Sequence, residues 1–479
     1  MGQEISRSTF TRQDFRRFQT QLRLETATLS DWFRDERFMP TGGVAGFEIE
    51  AWLVDRQGRP APLNRVFLER LADPLVVPEL SVFNIELNTP PLPLRDDALR
   101  RMHANLESLW RRCQQVAAEL DAAMALVGIL PTLRVQDLSP DHMSDQQRYR
   151  AINDQIFRQR HGQPMELAIH GTETLYLTHP DVMLEAATTS FQTHLQVTAR
   201  DAAAFFNAAL ALSAPMVAVA ANSPLLFGKR LWQETRIPLF EQGVALAGGT
   251  RANDPSHRRV TFGGGYIRDS LLELFAENQA YYPPLLPVDL SVESDGRLLP
   301  HLRLHNGTIW RWNRPLLGFE ADGTPHLRIE HRVMPAGPSI PDTIANAALY
   351  YGLVHELARV TPPVGAVLEF AHCRANFYAA ARDGLRAEVM WLNGQRLPLR
   401  RLLLEELLPL ARRGLRALDI HGADIAEYLD LIAARVESGR TGADWQQRFL
   451  TRHGPDLNEL TQTYLERQQS GTPVHEWTC

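Results

Sequence analysis

The stretch Gly46-Phe47-Glu48-Ile49-Glu50-Ala51-Trp52-Leu53-Val54-Asp55 holds the first chemistry in the chain. Read as a strand, it turns Phe47, Ile49, Ala51 and Leu53 to one face and Glu48 and Glu50 to the other. Two carboxylates side by side repel unless water surrounds them or a cation sits between them. Trp52 and Val54 continue the acidic face, so a metal site explains the pair better than open solvent does. Three later segments repeat the design. Over residues 82–88, Glu86 alternates with Phe83, Ile85 and Leu87. Over 191–197, Gln192, His194 and Gln196 face away from Phe191, Thr193, Leu195 and Val197. Over 327–333, Arg328, Glu330 and Arg332 share a face. An ordinary solvated sheet face mixes Thr, Ser, Lys and Glu. Here the polar faces carry carboxylate, imidazole, amide and guanidinium, with no lysine. Any one strand alone reads as a solvated face; four that agree read as a site. Carboxylates with one imidazole suit a hard divalent cation, Mg²⁺ before zinc, and arginines beside them suit phosphate.

Other elements must position these strands. Residues 9–33 predict a helix, Gly42-Gly43 a break, and 55–62 a turn that returns the chain antiparallel. The apolar spacing from Leu99 to Met124 predicts one long helix over 96–127, and another helix is expected around 146–160. Residues 202–221 are small and apolar over about the length of a membrane span. Asn207, Ser213 and Pro215 interrupt them, so a buried core helix is the reading. His305-Asn306-Gly307-Thr308 is an Asn-Gly hairpin signal between 302–304 and 309–312, within a strand-and-turn region expected from Asp289 onward. The polar, charged run 229–259 reads as a lid, and Gly263-Gly264-Gly265 as a plain loop rather than a phosphate cradle. Helices are expected at 341–359, 398–416, 422–437 and 442–468.

The composition narrows the class. The 479 residues are 44% hydrophobic and 22% charged with a net charge of −6, which fits a soluble globular protein and argues against a nucleic-acid partner. Cys113, Cys373 and Cys479 are widely spaced, which suggests a reducing, cytoplasmic setting rather than a disulfide framework or zinc motif. No apolar signal core precedes residue 17, and no membrane association is expected. Neither a Walker A sequence nor a kinase motif set occurs.

The ordered series Gly46-Phe47-Glu48-Ile49-Glu50, Pro78-Glu79-Leu80, Ile85-Glu86-Leu87-Asn88-Thr89-Pro90, Thr193-His194-Leu195-Gln196, Ala221-Asn222-Ser223-Pro224, His305-Asn306-Gly307-Thr308-Ile309-Trp310 and Ile329-Glu330-His331-Arg332 resembles the glutamate–cysteine ligase superfamily, in its bacterial carboxylate–amine ligase branch. The resemblance covers about residues 44–350. It implies an α+β, glutamine-synthetase-like fold: a curved antiparallel sheet with a concave active face, flanked by helices, and a helical C-terminal region. We expect a catalytic unit over 1–360 with 361–479 packed on it. The resemblance implies metal ligation by Glu48, Glu50, Glu79, Glu86, His194 and Glu330, with Glu48, Glu330 and Arg332 at the chemistry and Arg332 on phosphate. Arg328, Arg236, Arg311 and Arg314 are further candidates for contacts to phosphate or substrate carboxylate. Two or three Mg²⁺ ions, with Mn²⁺ as a substitute, and ATP as co-substrate are implied. So is amide formation through an acyl phosphate, on glutamate and an amine acceptor, and a homo-oligomer is compatible with it. Glu79 lies on the opposite parity from Glu86, so it requires a bulge or a position before the strand proper. The residues before His194 are not the usual small ones, and the 310–312 region is Trp-rich, so cysteine is not fixed as the acceptor. Phosphoryl transfer to a guanidino group, modification of a peptide or protein, and a non-catalytic nucleotide- or amino-acid-binding homologue are the alternatives.

Overall fold

A computed structural model describes residues 4–246, 258–290 and 296–479. Its centre is a mixed-length antiparallel sheet. The strands are β1 (Val44–Val54), β2 (Val76–Pro78), β3 (Asn84–Asn88), β4 (Leu92–Pro93), β5 (Ala123–Ala125), β8 (Ser190–Val197), β9 (Asn313–Phe319) and β10 (Pro325–Pro335), while β6 (Met165–His170) and β7 (Thr174–His179) form a separate ribbon. The order across the sheet is β9-β10-β8-β1-β3-β2, with β4 and β5 also paired to β1. The sheet is curled into a half-barrel.

The register follows from the alternation of side chains. Ile49, Ala51, Leu53, Ile85, Leu87 and Ile329 are wholly buried on the convex side, each large one contributing about 1.5–3 kcal/mol relative to exposure. A one-residue slip would turn all of them into the polar cavity. With that face pinned, Glu50 lies opposite Glu86, Glu48 opposite Asn88 and Gln192, His194 opposite Gly46 and Glu330, and Glu330 opposite Arg314. Trp52, next on the acidic face, is sealed off: its ring stacks on Phe83 at 5.6 Å and its Nε1 donates to the Val127 carbonyl at 3.0 Å. Glu79 needs no bulge. It follows β2, a separate strand beside β3, and so approaches from the sheet edge.

The helices used below are α1 (Arg12–Arg34), α2 (Ala98–Glu119), α3 (Gln147–Gln159), α4 (Ala202–Ala220), α5 (Arg236–Gly243), α6 (Pro300–Gly307), α7 (Ile340–Leu357), α8 (Phe370–Asp383), α9 (Leu408–Ala417), α10 (Gly422–Ser438), α11 (Gly442–His453) and α12 (Leu457–Gln469); further helices span Asn64–Leu71 and Leu272–Tyr281, with short ones at Val364–Val367 and Leu399–Leu402. α1 begins in a capping box between Thr11 and Asp14. α4 is apolar enough to cross a membrane, but 83% of that window is buried, packed against β10, α7 and α8. It is a core helix.

Several expectations are corrected. The 96–127 helix stops at Glu119: Asp121 adopts a left-handed φ of 56°, and Ala123–Ala125 becomes a strand on β1. The Asn-Gly signal is not a hairpin but the end of α6, which Pro300 starts at its first turn. His305 and Asn306 point inward from it, to the carbonyls of Asn278 and Pro315. Part of the 289–304 region expected as strand and turn is therefore helical, and residues 291–295 lie outside the described residues. The 442–468 helix divides at Gly454, whose φ is 96°, and restarts on the Asp456 cap. α8 and the helices at Asn64–Leu71 and Leu272–Tyr281 were not anticipated. Within the proposed lid, α5 is a buried helix, and residues 247–257 lie outside the described residues.

Candidate active site

The concave face forms one wall of a cavity of about 570 Å³ lined by Glu48, Glu50, Glu79, Glu86, His194, Arg328, Glu330 and Arg332. Every expected metal ligand is therefore brought together. Two groups stand out: Glu48, His194 and Glu330, and Glu50, Glu79 and Glu86. In each, one donor atom per residue lies within 4.8 Å of the others. β1 supplies one carboxylate to each group, because Glu48 and Glu50 are two residues apart on one face.

The electrostatics of the two groups differ. Glu330 is fully buried, which would raise its carboxyl, but Arg314, Arg332 and His194 outweigh burial and hold it down at about 2. Arg314 grips it at both oxygens, at 2.7 and 2.9 Å, and Arg332 Nη1 stands 3.2 Å from Oε2. Arg332 also donates to the Gln192 side-chain carbonyl. His194 Nε2 is buried 3.3 Å from Glu48 Oε1 and 3.7 Å from Glu330 Oε1, without hydrogen-bond geometry to either.

In the second group nothing comparable compensates. Burial and then Glu86 push Glu50 up to about 7, and burial and then Glu50 push Glu79 up to about 7. Glu86 is raised well above the usual range by burial and Glu48. Glu50 is nonetheless rigidly aimed, accepting from the Ser190 N–H at 2.7 Å, the Ser190 hydroxyl at 2.8 Å and Gln192 Nε2 at 3.0 Å. Buried carboxylates this close want a cation. An all-carboxylate group beside one with a single imidazole and an orphaned Nε2 fits hard divalent ions of the Mg²⁺ kind.

Two expected arginines are not brought to the cavity. Arg236 is 2% exposed behind the wall, bound to Glu234 at 3.2 Å and to carbonyls of β10. Arg311 turns to Asn278 at 2.5 Å and Glu277 at 3.3 Å, below the Tyr282 ring. The parity of residues 310–314 explains the second: Arg314, three residues on, takes the inward place. Sequence reasoning missed Glu185, Arg148 and Arg303, which also line the cavity. Glu185, pushed up to about 8 by burial and Glu50, comes from a short 3₁₀ segment, Val182–Ala187, where no periodicity marks a face. Arg148 and Arg303 sit on helices whose inward faces the sequence does not reveal.

Two clustered carboxylate groups with arginines beside them thus line the concave face of an antiparallel half-barrel. Residues 44–468 match the family described as Glutamate-cysteine ligase family 2 (GCS2), and the chain belongs to that family. It is an ATP-dependent ligase that forms amide bonds. Among solved structures, glutamate–cysteine ligase from Francisella tularensis in complex with AMP superposes with a TM-score of 0.59 at 12% identity, over 90% of each chain. A bifunctional glutathione synthetase from Pasteurella multocida gives 0.53 at 13% identity, over 94% of this chain and 55% of that one. At such identities the likeness is one of fold, a curled antiparallel half-barrel sheet with helices around it. No curated protein sequence matches the chain.

Proposed function

We propose that the chain activates the side-chain carboxylate of glutamate with ATP and joins it to an amine, a γ-glutamyl-type ligation. The observation that carries this reading is the pair of three-residue donor groups lining one cavity, with Arg332 ion-paired to Glu330 of one group and Arg328 lining the same cavity. Glu50, Glu79 and Glu86 would hold one Mg²⁺, and Glu48, His194 and Glu330 another. Bound Mg²⁺ would neutralise phosphate oxygens and the substrate carboxylate.

The chain's own residues do the rest by positioning. Arg332 and Arg328 face the same cavity and would orient the phosphates, and Arg314 keeps Glu330 charged and in place. A carboxylate oxygen of glutamate attacks the γ-phosphorus and ADP leaves. The lone pair of the neutral amine nitrogen then attacks the acyl carbon, the C–O bond to phosphate breaks, and inorganic phosphate departs while the nitrogen gives up one proton to the departing phosphate. No protein nucleophile is needed. Adenine-nucleotide use is supported by the family and by the AMP held in the Francisella tularensis structure.

The test is the purified chain with ATP, Mg²⁺, glutamate and a panel of amines including cysteine, read for ADP, phosphate and product mass. One amide formed per ADP supports the reading. A phosphorylated guanidine without amide would move it to phosphotransfer, and ATP bound without turnover would make the chain a binding protein.

A further inference from the structure

The Asn222-Ser223 motif and Arg236 stand behind the cavity wall, yet both converge on the strand that carries Arg332. β10 and β8 lose register there: His331 lies opposite Thr193 and Met334 opposite Phe191, so Arg332 and Val333 share the place opposite Gln192. Such a bulge bends the strand and frees carbonyls from the ladder. Arg236 takes them. Its Nη2 donates to the Val333 carbonyl and, at 3.4 Å, to that of Arg332. Its Nε donates to Glu234 Oε1 at 3.2 Å, and its guanidinium lies 5.2 Å from the centre of the Trp312 ring.

Glu234 is fixed in turn. It accepts from the Ser223 hydroxyl at 2.6 Å and from the Asn222 N–H at 2.9 Å. Asn222 Nδ2 donates to the Ala336 carbonyl, just past the bulge, at 2.8 Å and to the Tyr464 hydroxyl of α12 at 2.9 Å. The packing leaves no slack: a Cβ on Gly442 would stand 2.1 Å from Asn222 Oδ1.

We propose that Arg236 is a positioning residue, holding the β10 bulge so that Arg332 reaches across the concave face to Gln192 and Glu330. The catalytic half of this inference rests on the reading that Arg332 acts on phosphate. Only a planar guanidinium serves here, because one edge must meet Glu234 while another meets the two carbonyls. An ammonium keeps the charge beside Glu234 but loses the fork.

Arg236→Met would strand Glu234 as a buried unpaired charge and threaten folding, so Arg236→Lys is the informative variant. We expect a circular dichroism spectrum like the wild type's and a kcat reduced about 10- to 100-fold, with KM for glutamate within about twofold. Arg236→Lys combined with Arg332→Lys should lose no more than Arg332→Lys alone, since one acts through the other. Amide exchange over residues 332–336 should rise in Arg236→Lys without any substrate present. Unchanged kcat, multiplicative losses or unchanged exchange would overturn the proposal. Should the wild type form no amide, the functional reading fails instead, and the exchange measurement still decides whether Arg236 holds the bulge.

Discussion

Glu330 and Glu50 sit on neighbouring rows of one sheet face yet carry opposite electrostatic histories. Arginines hold the first charged at about 2, while burial and Glu86 leave the second near 7. The sign of the consequence can be worked out. In metal-free protein, Glu50 and Glu79 at about 7 and Glu185 at about 8 bind protons more tightly folded than unfolded, where the reference is 4.5. Stability therefore falls as pH rises from about 4.5 to about 8. A divalent ion held by Glu50 and Glu79, as proposed, would require both deprotonated and would relieve the penalty. The melting-temperature gain on adding Mg²⁺ to EDTA-treated protein should be small at pH 5 and clearly larger at pH 8; equal gains would contradict the assignment. Glu48→Gln and Glu330→Gln should each cut turnover by at least about a hundredfold with the fold intact by circular dichroism. Near-normal rates in both would remove the metal sites. Glu48, Glu50, Glu86, His194 and Glu330 were legible as one polar face in the sequence, because on a strand every second residue shares a face; Glu79, which follows its strand, was legible only through the family resemblance. Glu185 was not, because a 3₁₀ turn has no such signature over six residues.

At the scale of elements, period-2 strands were read well and boundaries less so. β1, β3, β8 and β10 announced themselves by alternation, whereas β5 continued the apolar spacing of α2 and was taken into it. Asp121, left-handed at φ 56°, ends that helix for a local reason the apolar pattern does not carry. The Asn-Gly of α6 shows the same competition: a hairpin signal lost to a proline-started helix whose end it became. Close helix packing offers a direct check. α7 and α9 approach at Gly352 and Gly414, where a Cβ on Gly414 would stand 2.0 Å from the Gly352 carbonyl oxygen. Gly414→Ala must push the helices apart, and we expect a loss of about 1–3 kcal/mol, read by denaturant unfolding. Undiminished stability would show that the two helices are not pressed together.

For the whole molecule, the C-terminal helices are tied into the sheet by buried polar bonds. Arg435 pairs with Asp342 at 2.6 Å with both side chains inaccessible, and the Val474 N–H donates to the other Asp342 oxygen at 2.9 Å. Gln468 bonds Leu126 N–H and the Met124 carbonyl beside β5. Cutting at residue 360 would leave Asp342 buried without its cation, at about 3–5 kcal/mol, and would take hydrogen-bond partners from Asn222, Met124 and Leu126. We expect a 1–360 fragment to aggregate or unfold when expressed alone, judged by size exclusion and circular dichroism. A monomeric, cooperatively melting fragment would show that the first 360 residues form a domain of their own.

The amino-acid sequence by itself determined the alternating strands, the composition of their polar faces and the apolar bulk of α4, since these depend on neighbours one to four residues apart. Which arginines face the cavity was decided only in three dimensions. Arg236, Arg311 and Arg314 are alike as sequence. They part company because one is caught behind a bulge of β10, one turns to Asn278, and one lies opposite Glu330. Glu48 and Glu50 asked for a cation from the start, but their division between two groups, one with His194 and Glu330 and the other with Glu79 and Glu86, was decided only when strands far apart in the chain were laid side by side.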